Sequence, residues 1–135
     1  MPEQLSENLL AVKNMAHRFV ADQIVPRGER LKQGESLAAL GAEVRESSKA
    51  AGFFYKTQPA EFGGAPAATL ELTMLRECWA SANTELTRFI FGPGPGLLHA
   101  ARGELASQFL MPLMAGECQG AFGFTEPDDA VRPTW

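Results

Sequence analysis

Positions Leu5, Leu9, Val12, Ala16, Phe19 and Gln23 follow one another at spacings of four and three, and Leu10, Val20 and Ile24 widen the same stripe. That period is the mark of an amphipathic helix, expected over residues 3–24. Pro26 disfavours helical geometry at Val25, and Gly28 follows, so the helix is expected to stop there and give way to a polar connection reaching Glu35. Ser36 reads as the N-cap of a second helix, with Leu40, Val44, Ser47 and Ala51 on its apolar face and Gly52 just past its end, where a left-handed residue is needed. The stretch from Phe53 to Pro66 holds Pro59, Gly63 and Gly64 among Phe53, Phe54, Tyr55 and Phe62, which describes an ordered loop pinned by buried rings.

A third helix is expected over residues 67–82, apolar around most of its circumference through Leu70, Met74 and Cys78 on one side and Leu72, Leu75 and Trp79 on another. Asn83 or Thr84 can cap a fourth over residues 85–91, and Leu97 to Ala101 forms a further helical turn. The last helix is expected over residues 104–114, with Leu105, Phe109 and Leu113 buried, with Pro112 distorting or ending it and Gly116 closing it. Beyond Glu117 the alternation of aromatic and Gly residues from Gln119 to Thr125 has the period of a short strand, ended at Glu126-Pro127. The expected fold class is therefore all-α, a helical bundle of about five to six helices with a short extended C-terminal segment.

With 135 residues, 45% of them hydrophobic and 21% charged, one domain can bury a core without disulfides or metals. The net charge of −4 and the lack of a Lys/Arg cluster give no electrostatic footprint for nucleic acid. The longest uncharged stretch, Phe89 to Ala101, is broken by the Gly92 to Gly96 run and is too short to span a membrane. The N-terminus lacks the basic and apolar regions of a signal peptide, so a cytoplasmic location is expected. Cys78 and Cys118 then read as reduced thiols, with a bridge between them as the alternative.

Candidate chemistry is sparse. Gly92-Pro93-Gly94-Pro95-Gly96 could be a phosphate cradle or a rigid turn; the two prolines remove backbone donors and favour the turn. His17 and His99 have no metal-ligand spacing beside them, neither cysteine lies in a Cys-x-x-Cys pair, and no Gly-x-Ser-x-Gly is present, so no metal and no catalytic residue are assigned. Among the 16 carboxylates, Glu126 could be desolvated behind an apolar strand or simply bonded to nearby backbone donors, while Asp128 and Asp129 read as solvated turn residues.

The segment Met111-Pro-Leu-Met-Ala-Gly-Glu-Cys-Gln-Gly-Ala-Phe-Gly-Phe-Thr125-Glu126-Pro127 resembles the junction that ends the helical N-terminal domain of acyl-CoA dehydrogenases. Ile24-Val25-Pro26, Ala51-Gly52-Phe53-Phe54, Pro59-Ala60-Glu61-Phe62-Gly63-Gly64 and Phe91-Gly92-Pro93-Gly94-Pro95 agree with that family in order and spacing. The resemblance implies an FAD enzyme in which a carboxylate takes the α-proton of an acyl-CoA thioester while the β-hydride passes to the flavin, and electrons leave to an electron-transferring flavoprotein. It places Phe122, Phe124 and Thr125 along the flavin, with Thr125 at its pyrimidine edge. The Gly-Ser-Asp that commonly follows Thr-Glu-Pro in the family is here Asp128-Asp129-Ala130.

On this reading residues 1–127 form the helical N-terminal domain and residues 128–135 begin a linker toward a β domain. The family's catalytic Glu and most of its FAD site lie in domains that these 135 residues do not include. The chain alone is accordingly expected to be inactive and to bind FAD weakly or not at all. Two alternatives are a stand-alone helical interaction or oligomerisation module, and one half of a split acyl-CoA dehydrogenase. A homo-oligomer or partner chain is expected in each case.

Overall fold

The computed structural model describes residues 4–121, and every described element is helical. Ser6 caps α1, Glu7–Phe19, by accepting from the Leu9 backbone N–H at 3.4 Å. The expected stop at Pro26 does not occur. The chain passes through a π-helical turn, Val20–Ile24, in which the Val25 N–H reaches back to the Val20 carbonyl, and continues as α2, Val25–Lys32. Proline lacks an N–H, and its ring clashes with the carbonyl four residues back. The wider turn just before Pro26 makes room for that ring, and the guanidinium of Arg27 donates to the Gln23 carbonyl at 2.8 Å, so backbone freed by the irregularity is bonded again.

α3, Leu37–Ala51, has the bounds its sequence predicts: Ser36 accepts from the Ala39 N–H, and Gly52 takes φ 80° as the left-handed cap. The Phe53 N–H returns to the Ser48 carbonyl and the Gly52 N–H to that of Lys49, the bonding of a Schellman motif. Its inward face is Leu40, Gly41, Val44 and Ser48; of the positions expected there, Ser47 is half-buried and Ala51 exposed. Helical turns of the 3-10 type, Phe54–Thr57 and Ala60–Phe62, order the aromatic loop, with Phe53 and Phe54 buried and Tyr55 and Phe62 half-buried.

α4, Thr69–Ala80, is central through Met74, Leu75, Cys78 and Trp79, although Leu70 is exposed. Thr84 caps a 3-10 turn, Glu85–Phe89, and a second such turn runs over Gly96–Ala100. The C-terminal helix is composite: α5, Gly103–Leu105, a π-helical turn, Ala106–Leu110, and α6, Met111–Ala115, closed by Gly116 at φ 74°. The residue inserted by the π-helical turn offsets the positions before Leu113 by one. Half-buried Ala106 and buried Leu110 therefore take the inward places expected for Leu105 and Phe109, which face outward, while Leu113 is buried as expected, together with Met114.

The main core joins α1, α3, α4 and the Glu85–Phe89 turn through Ala16, Phe19, Ile24, Leu40, Val44, Phe53, Leu75, Trp79, Leu86 and Ile90. Phe19, Phe53 and Trp79 meet edge to face with centroids 5.0–5.9 Å apart. A smaller core of Ala101, Leu110 and Met114 sits under the C-terminal helix, flanked by Phe62, Leu98 and Ala106. Residues 119–121 are irregular, and the rest of the expected strand, with Phe122, Phe124 and Thr125, lies outside the described residues. No described helix is long and apolar enough to cross a membrane.

Candidate functional site

A groove of about 510 Å³ lies between the Pro93–Leu98 segment, Leu113 on α6, and the departing chain at Gly120 and Ala121, with Leu98 shared with the smaller core. Its lining side chains are apolar and none is charged. A volume and lining of this kind take a flat or linear apolar group, with orientation left to a few backbone donors and acceptors.

One buried side chain fixes the groove's shape. Gln58, only 1% exposed, donates through Nε2 to the Met114 carbonyl at 2.8 Å and to the Pro93 carbonyl at 3.2 Å, tying α6 to the proline turn. Thr57 donates to the Gly92 carbonyl at 2.9 Å, and the Gly92 N–H donates to Phe54 O at 2.8 Å. Glycine is required at 92 for space: a Cβ there would lie 2.5 Å from Gln58 Nε2 and 2.8 Å from the Phe54 ring. The Gly92 to Gly96 run is thus a rigid turn. It offers no phosphate cradle, because the Gly92 N–H is consumed internally and Pro93 and Pro95 have none.

The remaining candidates are dispersed. His99 is exposed, bonded to Glu61 Oε1 at 2.6 Å and edge-on to Phe62, while His17 is exposed on α1 with its Nε2 3.8 Å from the Cys78 sulfur. Cys78 is buried, and burial pushes its thiol pKa up; Cys118 is exposed, and neither is in a disulfide. No three His, Cys, Asp or Glu converge among the described residues. Phe122, Phe124, Thr125 and Glu126 lie outside the described residues; the chain enters them directly from the groove wall at Ala121. Gln58 and Thr57 carried no sequence signal, since a side chain bonding a carbonyl 35 or 56 residues away leaves no local pattern.

The groove can be tested against FAD by its lining chemistry. An isoalloxazine or an acyl chain is largely apolar on its faces, and walls without charge suit either; the residues present fit such a group. The described lining holds no carboxylate. Compared with known families, the model for the acyl-CoA dehydrogenase N-terminal domain matches residues 6–117. No curated protein and no solved structure matches the chain.

Proposed function

We propose a function from the premise that this chain belongs to the acyl-CoA dehydrogenase family, as its N-terminal domain: it supplies the helical wall of a flavin and acyl-thioester site in a complete α,β-dehydrogenating enzyme. The observation that carries this reading is the uncharged groove along Pro93–Leu98 and Leu113, opening where the chain passes into Phe122, Phe124 and Thr125. Bound FAD would supply the hydride acceptor. Phe122, Phe124 and Thr125 would hold its ring, with the Thr125 hydroxyl at the pyrimidine edge. Leu97, Leu98 and Leu113 would exclude water from the reacting carbons, and the turn clamped by Gln58 would keep that wall in place. With no carboxylate on the described groove lining, the base belongs to another domain of the complete enzyme, and electrons would leave to an electron-transferring flavoprotein.

The test is reconstitution. The 135-residue protein is mixed with FAD and with a family enzyme's β and C-terminal domains expressed without their own N-terminal domain. Flavin retained on gel filtration and bleached by an acyl-CoA, in the mixture and in neither component alone, is the expected result. Turnover by the chain alone, or a mixture that retains no flavin, overturns the reading.

A second reading, an interaction module, is favoured by a different observation: Leu97, Leu105, Phe109 and Met111 are all at least half exposed. Stable self-association without flavin retention in the mixture would select it.

A further inference from the structure

Arg45 of α3 and Arg88 of the Glu85–Phe89 turn line a second cavity of about 270 Å³, which shares Pro93 and Gly120 with the groove. Its walls include the rings of Phe54, Phe89 and Phe91 and the exposed Cys118. Both guanidinium groups lie over one ring: the Cζ atoms of Arg88 and Arg45 are 4.9 and 5.8 Å from the Phe89 centroid. That ring is fixed, being buried against Gly41, where an added Cβ would come within 2.7 Å of it. The Arg45 stem runs beside the Gly116 cap.

Among the described residues neither arginine pairs with a carboxylate, a state shared with Lys13, Arg18, Arg76 and Arg102, but Arg45 and Arg88 are the two that line one cavity together. A guanidinium stacked on an aromatic face keeps its in-plane N–H edge for other partners, and that edge matches a carboxylate or phosphate in a two-bond fork. Two guanidinium groups lining one concavity, beside the rings of Phe54, Phe89 and Phe91, concentrate positive potential locally in a chain whose net charge is −4. General attraction of anions by the whole molecule is therefore not available, and any anion held here is held locally.

We infer that the Arg45–Arg88 cavity is an oxyanion-binding site for a compact phosphorylated or carboxylated group. The volume lies just below the roughly 300–1,000 Å³ of drug-sized pockets, which limits the ligand to a small dianion or a single anionic headgroup. The inference does not rest on the dehydrogenase reading. Its oxyanion can come from a free small molecule or from Glu126, Asp128 and Asp129, which follow the cavity-lining Gln119 and Gly120 closely in sequence.

Calorimetric titration of the full 135-residue chain with inorganic pyrophosphate at low ionic strength tests the site. Saturable one-to-one binding is expected, weakened at least about tenfold in Arg45→Gln and in Arg88→Gln, as for loss of a charge-assisted hydrogen bond. Arg88→Lys, which keeps the charge and loses the fork, is expected to fall between. Bound pyrophosphate should also slow alkylation of Cys118 by iodoacetamide, a readout independent of heat. The two sources are separated by the variant Glu126→Gln, Asp128→Asn, Asp129→Asn. Several-fold tighter pyrophosphate binding in that variant means that the chain's own carboxylates occupy the site, and unchanged binding means that a free oxyanion does. Absence of saturable binding in both the natural and the neutralised chain, or binding that survives Arg45→Gln combined with Arg88→Gln, overturns the assignment.

Discussion

Ser48 lies fully buried on α3 and donates its hydroxyl to the Ile90 carbonyl at 2.6 Å, joining segments 42 residues apart. Replacing it with Ala removes the donor and leaves a buried acceptor unpaired, so Ser48→Ala is expected to lose about 1–3 kcal/mol in denaturant unfolding. A loss within experimental error would mean that the carbonyl has another donor. The two thiols make a sharper contrast. Burial pushes the Cys78 pKa up and shields the sulfur, whereas Cys118 is exposed, so one thiol per chain should react with a thiol reagent under native conditions and two in denaturant. Fast reaction of both in the native protein would place Cys78 outside the core. The sequence left Ser48 off the buried face of α3 and gave no sign of Gln58. A hydroxyl or amide looks solvated in a hydrophobic pattern, and only the distant carbonyls that receive their hydrogens make them interior residues.

At the scale of elements, Pro26 and Pro112 stand in the same relation to their surroundings. Each comes two residues after a five-residue π-helical turn, at Val20–Ile24 and Ala106–Leu110. The helix continues past both prolines because a wide turn makes room for the ring: the expected stop at Pro26 fails, Pro112 marks a distortion and not an end, and the inserted residue also shifts which side chains point inward. This is why capped α3 was legible to the residue, whereas α2 and the buried side of the C-terminal helix were not. α2 is held by charge. Glu43 accepts from Arg27 at 3.0 Å and from Arg30 at 2.8 Å, and Arg30 also pairs with Glu35. The hydrogen bond from Arg30 lowers the pKa of both Glu35 and Glu43. A carboxyl whose folded pKa lies below its unfolded one stabilises the fold above the unfolded value, and that contribution is lost as pH falls through the folded value. Stability from this cluster should therefore be complete near neutral pH and decline only below the ordinary carboxylate range. Glu43→Gln is expected to melt at a lower temperature than the natural chain near pH 7, with the gap narrowing under acid and under high salt. A gap that stays constant from neutral pH to below pH 4 would show that the pairs contribute packing and not charge.

The molecule as a whole sets a well-filled core against a C-terminal part that buries much less. α1, α3 and α4 enclose interlocking rings, while the composite helix covers only Ala101, Leu110 and Met114 and turns Leu97, Leu105, Phe109 and Met111 outward. The all-α class and the order of elements were legible because helical periodicity and caps are local signals. The groove was not, because its walls come from residues 93–98, 113 and 120–121 and are brought together by Gln58. An exposed Leu97, 87% accessible, together with a half-exposed Phe109 is costly to leave in water and is relieved by association, whether with the other domains of a dehydrogenase or with a second copy. Leu97→Gln combined with Phe109→Gln removes apolar surface that folding does not use. The double variant should keep its unfolding free energy within about 0.5 kcal/mol while self-association, followed by light scattering as concentration rises, weakens markedly. The same variant should reduce flavin retention in the reconstituted mixture, since the surface that meets a second copy is the one offered to the added β and C-terminal domains. A variant that associates as the natural chain does would move the contact elsewhere, to the exposed Leu10, Met15 and Val25 along α1 and α2.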